Sequence, residues 1–317
     1  MSPSVSILIP CYNAEKWIGE AVESALNQTY PNCKVIVVDD GSSDDSVEVL
    51  KTFGDRIRWE AVPNRGGNAT RNRLLELSTG EWLQYLDSDD YLLPEKVATQ
   101  VAYLETHPEL DILCSPATGE RYEGDTTSRR FRPFPEPRDP WIYLARWYLP
   151  QTGGPLWRKS AIARAGLWKV DQPCCQEHEL YSRLLISGAR FGFLNEQGAI
   201  YRLWSTGTVS RKNKWEVYRR RLEIEDRIEK HLLDTKTMTP ERQTAIDQAR
   251  FECARIIWAS DREWAKSAIQ SIHQHAPEFV PSGDAAPKLY RTIYRTLGFE
   301  AAERVAAWKR SLSSTKA

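Results

Sequence analysis

The chain lacks several features that mark common classes of protein. Basic and acidic side chains are equal in number, 43 of each, so the sequence gives no electrostatic reason to expect nucleic-acid binding. Two local basic clusters, residues 129–132 and 219–221, are more typical of solvated faces than of binding sites. No stretch approaches the roughly 18 apolar residues of a membrane span, and the N-terminal apolar run is too short for a signal peptide. We therefore expect a cytoplasmic protein.

The cysteines lack the spacing of a metal or disulfide framework. They show neither a Cys-x-x-Cys pair nor the spacing of a zinc site or a secreted disulfide scaffold. The six residues are Cys11, Cys33, Cys114, Cys174, Cys175 and Cys253. We expect free thiols in a reducing compartment.

A glycine-rich phosphate loop is also missing. The first half of the chain alternates strand-like and helix-like segments, beginning with a strand over residues 5–9 and a helix that opens at Asn13, which predicts a mainly parallel sheet with helices on both faces. Ligands of such sheets bind at the carboxyl ends of the strands. The first turn, residues 10–14, contains no glycine, so a dinucleotide-binding enzyme is not favoured. Such a site must hold a nucleotide through side chains and neutralise its phosphates with a metal and an arginine.

An acidic run follows the apolar, alternating segment of residues 82–86. It contains Asp87, Asp89 and Asp90, which a strand would deliver to the rim of the sheet. Carboxylates there are suited to a divalent cation that bridges ligand phosphates. Asp and Ser also favour turns and helix entries before a proline such as Pro94, and taken alone this explanation is the commoner one. The rest of the chain favours the metal site.

Four motifs occur in order along this half of the chain. They are Pro10-x-Tyr12-Asn13, Val37-Val38-Asp39-Asp40-Gly41-Ser42-Ser43-Asp44, Asn64-x-Gly66-x-x-x-x-Arg71-Asn72 and Leu86-Asp87-Ser88-Asp89-Asp90. In this order they closely resemble the family 2 glycosyltransferases of GT-A fold. The resemblance covers roughly residues 4–204. It implies an α/β fold in which a Rossmann-like domain has three layers, α/β/α. It also implies an activity, the transfer of a sugar from a UDP- or GDP-type nucleoside diphosphate sugar to an acceptor hydroxyl with inversion of the anomeric centre.

The resemblance also implies roles for individual residues. Asp40 would accept a hydrogen bond from the base, and Arg71 would face the diphosphate. Asp89 would bind Mg²⁺ or Mn²⁺, while Asp87 would act through the ribose or a metal-bound water. The full set implied at the donor nucleotide is Pro10, Tyr12, Asn13, Asp39, Asp40, Arg71, Asp87 and Ser88.

Each of these residues, taken singly, has an ordinary structural explanation. Tyr12 could be a packing residue, and Asp39 and Asp40 could cap the next helix. Arg71 could be an exposed helical charge. The occurrence of all four motifs together is what favours the functional interpretation.

A candidate for the catalytic base is Glu177. A leucine stripe predicts a helix that places this residue in its first turn, where a helix N-terminus stabilises a carboxylate. Relatives commonly have Glu-Asp-x-x-Leu-Trp here, with the Asp as base. Alignment on Leu180 puts Gln176 at the position of their Glu and Glu177 at that of their Asp. His178 and Glu179 are rivals that should face elsewhere on the helix.

The acceptor side is less defined. Residues 115–150 are rich in Pro, Arg and Trp without clear periodicity, which predicts a long, partly irregular surface segment that sets substrate choice. Two interpretations are open for Gly153 and Gly154, which are close approach of a carbohydrate or glycoconjugate acceptor to the backbone and a plain tight turn. Many relatives carry a His near Trp204, a residue that cannot ligate a metal. Either the ion relies on Asp89, the diphosphate and water, or metal dependence is weaker than usual.

Beyond about Lys212 the pattern is helical. We expect a GT-A catalytic domain over residues 1–211 and a helical C-terminal extension over residues 212–317. The commoner role of such an extension is to cover part of the catalytic domain. The alternative is docking to a protein partner or, peripherally, to the inner face of a membrane. Residues that favour docking are Tyr290, Arg291, Tyr294, Arg295, Trp308, Lys309 and Arg310.

Two other classes of protein compete with a glycosyltransferase. A nucleotidyltransferase shares a sheet and paired acids, but usually begins with a glycine-rich loop that is absent here. A non-catalytic sugar-binding protein would keep the aromatic residues without needing Asp89 and Glu177 together.

Overall fold

The protein consists of two compact units, Met1–Lys212 and Asn213–Ala317. The computed structural model describes residues 2–123, 126–136, 138–203 and 214–314. Within these ranges no helix is both long enough and apolar enough to cross a membrane. All six cysteines are free thiols, as predicted.

A seven-stranded sheet forms the centre of the first unit. In spatial order its strands are β10 (Phe191–Phe193), β6 (Ile112–Cys114), β9 (Leu156–Arg158), β4 (Trp82–Tyr85), β1 (Val5–Cys11), β2 (Cys33–Asp39) and β3 (Arg58–Ala61). Only β9 runs antiparallel to its two neighbours, so the predicted mainly parallel sheet is confirmed. The central strands are buried because helices cover the sheet, which explains their continuous β-branched and apolar runs.

The helices of this unit alternate with the strands. They are α1 (Ile18–Leu26), α2 (Ser46–Lys51), α3 (Gly67–Leu77), α4 (Lys96–Thr106), α5 (Pro140–Ala145), α6 (Lys159–Arg164) and α7 (Gln176–Ile186). The expectation that the first helix opens at Asn13 is wrong, because α1 begins at Ile18. Asn13 has a φ of +48°, and its side-chain oxygen accepts a hydrogen bond from the Ser43 amide at 2.8 Å instead of capping α1.

A second, smaller sheet has two of its four strands in the segment where the sequence predicts partly irregular structure. Its strands are β5 (Tyr91–Leu92), β11 (Ala199–Leu203), β7 (Thr118–Glu123) and β8 (Thr126–Arg130). The prediction of an irregular segment over residues 115–150 is therefore wrong for this hairpin and for α5. The strands β7 and β8 carry polar residues on both faces, so no hydrophobic alternation reveals them. The pairing of β7 with β11, and of β8 with β7, defines them instead.

The second unit is helical. Its helices are α8 (Lys214–Asp234), α9 (Pro240–Ile257), α10 (Arg262–His275) and α11 (Lys288–Ser314), the last interrupted at Gly298. Tyr290 and Tyr294, which the sequence assigns to a docking face, are buried in the core of this unit against Phe251. The Tyr290 hydroxyl donates to Glu303 at 2.8 Å. A docking face would therefore lack these two aromatic rings.

Candidate active site

Three motif-bearing strands end at one edge of the large sheet. Strand β1 lies between β2 and β4 and is parallel to both, with Cys11 opposite Asp39 and Leu8 opposite Tyr85. The carboxyl ends of parallel strands share an edge, which is where ligands of such sheets bind. Pro10 near the end of β1, Asp39 at the end of β2 and Asp87 just after β4 are far apart in the sequence but are thereby brought to one rim.

The two aspartates after β2 organise the loops of this rim. Asp39 closes a tight turn, because its carboxylate accepts the amide of Ser42 at 3.0 Å and the Ser42 hydroxyl at 2.5 Å. Asp40 accepts the amides of Arg65 at 2.8 Å and Gly66 at 2.9 Å, which ties the end of β2 to the loop before α3. Asp40 also lines a cavity of about 490 Å³ beside α3. Since each carboxylate oxygen has two lone pairs, Asp40 keeps the capacity to accept a further hydrogen bond.

The loop after β1 supplies an aromatic surface. Tyr12 is 54% exposed, so it is not a core packing residue and its ring is accessible for stacking. The neighbouring Asn13 holds this loop against the loop after β2, because its amide donates to the Ser42 hydroxyl at 2.9 Å. Pro10 lies at the end of β1 and is half-buried.

A buried arginine, predicted to face the diphosphate, contacts residues of the predicted metal and catalytic-base motifs. The Arg71 guanidinium donates to Asp87 at 3.0 Å and to the Gln176 side-chain oxygen at 2.7 Å, and it lies 3.9 Å from Glu177. Its side chain is only 9% exposed, so Arg71 is not an exposed helical charge. Burial by itself disfavours the charged form, but the Asp87 and Glu177 carboxylates outweigh it and raise the pKa of Arg71. The guanidinium therefore stays positive between two carboxylates.

Glu177 is held in place at the start of α7. It occupies the first turn of this helix, as predicted, and its Oε1 accepts a hydrogen bond from the Thr152 hydroxyl at 2.6 Å. The side chain is 20% exposed. Among the described residues, Oε2 has no hydrogen-bond donor, so this oxygen is available to a ligand.

The two rivals of Glu177 face elsewhere, as the helical geometry predicts. His178 stacks on the Trp147 ring, with centroids 3.7 Å apart. Glu179 is buried and forms a 2.8 Å ion pair with Arg183, one turn further along α7. Neither carboxylate nor imidazole is directed to Arg71.

The acidic turn after β4 is anchored to the second sheet. Asp90 is buried, and its carboxylate accepts the Arg202 amide at 2.9 Å, while the Arg202 side chain donates to the Asp89 carbonyl at 3.1 Å. Burial, followed by the charges of Asp87 and Asp89, raises the pKa of Asp90 well above its usual value. The carboxylates of Asp87 and Asp89 are hard oxygen donors of the type that divalent cations prefer, and a bound cation would relieve the repulsion between them.

Arg202 and Thr152 are site residues that the sequence does not single out. Arg202 is almost fully buried between the rings of Trp17 and Tyr91, at 4.8 and 4.6 Å from their centroids. No local pattern marks either residue, because their partners are distant in sequence. Trp204, near which the resemblance implies a His, lies outside the described residues, as do residues 211 and 212 at the predicted domain boundary.

Packing accounts for Gly153 and Gly154. Their carbonyls accept hydrogen bonds from buried amide side chains, Gln84 at 2.9 Å and Gln100 at 3.1 Å. The amide of Gly154 closes a turn onto the carbonyl of Gln151 at 2.9 Å. Both glycines are buried, so the tight-turn interpretation explains them without an acceptor.

Gly154→Ala is expected to lower the free energy of unfolding by about 1–3 kcal/mol. A Cβ at this position would lie 2.4 Å from the Ser115 carbonyl oxygen and 2.6 Å from Pro150 Cβ. Gly153→Ala is the matched control, because the nearest atom to its new Cβ is Ala199 Cβ at 3.4 Å. Urea denaturation of the two variants measures the difference, and equal stabilities would contradict the packing role.

The motifs and their arrangement can be compared with known proteins. The family model described as Glycosyl transferase family 2 matches residues 6–170, more than half of the chain. The chain belongs to glycosyl transferase family 2. The match includes the four motifs from Pro10 to Asp90 and ends before Glu177, whose assignment therefore rests on the helix geometry and on the resemblance described above.

Several relatives of this family-2 chain are named as glycosyltransferases or as a polysaccharide synthase. An uncharacterised glycosyltransferase of Haemophilus influenzae is 38% identical over 106 residues, 32% of this chain and 42% of that protein. The Escherichia coli UDP-Glc:alpha-D-GlcNAc-diphosphoundecaprenol beta-1,3-glucosyltransferase WfaP is 38% identical over 105 residues, 32% and 41%. Chondroitin synthase of Escherichia coli is 36% identical over 124 residues, 38% and 18%. The aligned part thus spans less than half of each relative.

Solved structures extend the likeness in fold to nearly the whole chain. Residues 1–349 of Staphylococcus aureus TarS, in complex with UDP-GlcNAc, superpose with a TM-score of 0.64 at 17% identity, over 97% of this chain and 92% of that one. The mannosyltransferase PcManGT of Pyrobaculum calidifontis, in complex with GDP-Man and Mn²⁺, gives 0.53 at 17% identity, over 98% and 88%. The predicted GT-A architecture is confirmed.

Proposed function

We propose that this family-2 protein transfers a sugar from a nucleoside diphosphate sugar to a hydroxyl of a carbohydrate or glycoconjugate acceptor, with inversion of the anomeric centre, in polysaccharide or glycoconjugate biosynthesis. The observation that supports this most directly is the contact of Arg71 with both Asp87 and Glu177. It joins a group suited to the donor phosphates to a carboxylate suited to act as base, at the edge where this fold binds ligands.

Glu177 is the proposed general base. The acceptor oxygen attacks the anomeric carbon while its proton passes to Glu177, and the bond from that carbon to the diphosphate oxygen breaks, its electron pair leaving with the nucleoside diphosphate. Thr152 fixes the carboxylate of Glu177 through Oε1 at 2.6 Å, which leaves the carboxylate free to take the proton. One displacement of this kind inverts the anomeric centre and forms no covalent bond between sugar and protein.

The charges at the rim are arranged for a diphosphate. Asp89 and Asp87 would hold Mg²⁺ or Mn²⁺, which supplies positive charge for the two phosphates when it is bound. Arg71 contributes a second, permanent positive charge beside Asp87. Because Arg71 is buried and fixed by three partners, little reorganisation accompanies the build-up of charge on the leaving diphosphate.

The donor is proposed to be of UDP or GDP type. Tyr12 offers an exposed ring for stacking, and Asp40 lines the cavity beside α3, which suits a base with N–H donors. The ligands of the solved neighbours, UDP-GlcNAc and GDP-Man, are of these two types.

Nucleoside diphosphates are expected to raise the melting temperature, and Mn²⁺ is expected to increase the effect. A ligand at 100 times its Kd stabilises by about 2.7 kcal/mol. Thermal melts with UDP, GDP and their sugars, with and without Mn²⁺, combined with assays of donor hydrolysis, measure this. Absence of stabilisation by every nucleoside diphosphate would contradict the proposal. Release of pyrophosphate from a nucleoside triphosphate and a sugar phosphate would favour a nucleotidyltransferase, and binding without hydrolysis or transfer a sugar-binding protein.

A further inference from the structure

A second cavity, of about 810 Å³, lies against one face of the small sheet. Side chains alternate between the two faces of a strand, and the cavity is lined by alternate residues of three strands. These residues are Gly119 and Arg121 of β7, Ser128 and Arg130 of β8, and Tyr201 and Leu203 of β11. The volume lies within the range of pockets that bury small organic ligands, roughly 300–1,000 Å³.

On the opposite face of the same sheet, the arginines form ion pairs with a glutamate. Glu120 forms ion pairs with Arg129 at 2.7 Å and with Arg202 at 3.8 Å. The Glu120 carboxylate also accepts hydrogen bonds from the hydroxyls of Tyr91 at 3.0 Å and Tyr122 at 2.5 Å. The basic cluster at residues 129–132 is thereby divided, with Arg129 on this face.

On the face that lines the cavity, the positive charges are not balanced by carboxylates within the described part of the lining. Three arginines line it, Arg121, Arg130 and Arg132, and the described lining residues include no Asp or Glu. Arg130 and Arg132 are exposed, and neither forms an ion pair with a carboxylate of the described residues. Guanidinium groups present forked donors that match phosphate and carboxylate groups. A polar wall of this kind suits an anion.

Aromatic rings form another part of the wall. Trp147, Tyr148 and Tyr201 line the cavity, and Tyr148 is 43% exposed. Rings that combine an apolar face with a polar edge suit the faces of sugars. The combination of arginines and aromatic rings therefore suits a carbohydrate that bears negative charge.

Two contacts connect this cavity to Glu177. Gln151 lines the cavity, and the next residue, Thr152, donates its hydroxyl to Glu177. Trp147 lines the cavity as well and stacks on His178, the residue after Glu177. The wall of the cavity thus also positions the helix turn that carries the proposed base.

We propose that this cavity binds the acceptor and that the acceptor is an anionic carbohydrate, bearing phosphate or carboxylate groups that Arg130 and Arg132 recognise. The inference rests on the proposed function, since it assigns the substrate class of the same site. It also gives a role to the segment of residues 115–150, which supplies most of the cavity wall.

Binding of matched neutral and anionic sugars tests the proposal. Calorimetry is carried out on the full chain saturated with UDP or GDP and Mn²⁺, so that phosphate probes cannot occupy the donor site. Tetragalacturonate is compared with maltotetraose, and glucose 6-phosphate with glucose. At least one anionic probe is expected to bind about tenfold more tightly than its neutral counterpart. The double variant Arg130→Gln/Arg132→Gln is expected to lose this preference while its Kd for the nucleotide stays unchanged.

The control removes two positive charges elsewhere. Lys230→Gln/Arg304→Gln changes side chains that are 77% and 71% exposed and should keep the preference. Equal affinity for neutral and anionic probes, or a preference that survives in Arg130→Gln/Arg132→Gln, would overturn the proposal. Flotation with phosphatidylglycerol vesicles that depends on these two arginines, without binding of soluble anionic sugars, would also overturn it and indicate a membrane surface. Failure of the wild type to bind any nucleotide would count against the proposed function instead, and probe affinities remain measurable in that case.

Discussion

Glu177→Gln is expected to lower the rate of sugar transfer by about 10²–10⁴-fold while the Kd for the donor stays near its wild-type value. The amide keeps the shape of the side chain, and its oxygen can still accept the Thr152 hydroxyl that holds Oε1 at 2.6 Å. It cannot take the proton of the acceptor hydroxyl. Single-turnover transfer rates and donor titrations separate the chemical step from binding.

Two further variants define what a loss of the base should look like. Glu177→Asp keeps a carboxylate and supplies the residue that the family resemblance implies at this position, so it should retain more activity than Glu177→Gln. Glu179→Gln should affect transfer much less, but it breaks a buried ion pair with Arg183 and should lower the melting temperature. A near wild-type rate for Glu177→Gln, or a product that retains the donor's anomeric configuration, would show that Glu177 is not the base of an inverting reaction.

The sequence predicts the motif-bearing strands of the large sheet because their signals are local, but it predicts neither β6 nor β9. The apolar runs that become β1, β2 and β4 are read from consecutive residues, and their alternation with helical segments leaves a mainly parallel arrangement as the expected one. The start of α1 is predicted five residues early, because Asn13 is as suitable for bridging two loops as for capping a helix.

The hairpin of the small sheet, strands β7 and β8, escapes prediction for a physical reason. In β7 and β8 a polar network on one face and a charged cavity on the other replace the usual apolar face. Strand pairing and ion pairs such as Glu120 with Arg129 define these strands, and both depend on residues that meet only in the folded chain. Tyr290 and Tyr294 show the opposite error, in which the sequence predicts a docking face and the structure has a core. Aromatic residues near basic ones give the same sequence pattern whether their rings contact a partner or are buried within the unit.

The candidate site is also predicted only in part from the sequence. The motifs identify Arg71, Asp87 and Glu177 from their sequence context. They do not predict that the Arg71 guanidinium contacts both carboxylates, because Arg71 and Glu177 lie on different helices, α3 and α7. Thr152 and Arg202 carry no motif at all. Arg202 meets Asp90 across 112 positions of the chain, and only the folded structure places them together.

The second large effect is expected for Asp89→Ala, which should abolish the Mn²⁺-dependent part of the stabilisation by UDP and GDP. Two phosphates near Asp87 and Asp89 repel these carboxylates unless a cation lies between them. If Mn²⁺ tightens the nucleotide a hundredfold, the variant loses about 2.7 kcal/mol of binding free energy. Thermal melts across a range of Mn²⁺ concentrations, at fixed nucleotide, measure the loss.

The substitution is suited to this test because it changes a side chain and spares the backbone of the acidic turn. Arg202 donates to the carbonyl of Asp89, a contact that alanine keeps, so the loop should remain attached to β11. Asp55→Ala, at an exposed carboxylate in the turn before β3, removes the same charge and should leave the Mn²⁺ effect intact. If Mn²⁺ still strengthens the stabilisation of Asp89→Ala by UDP or GDP as much as in the wild type, Asp89 is not a metal ligand. Asp87, whose carboxylate already accepts from Arg71, would then have to hold the ion with the phosphates alone.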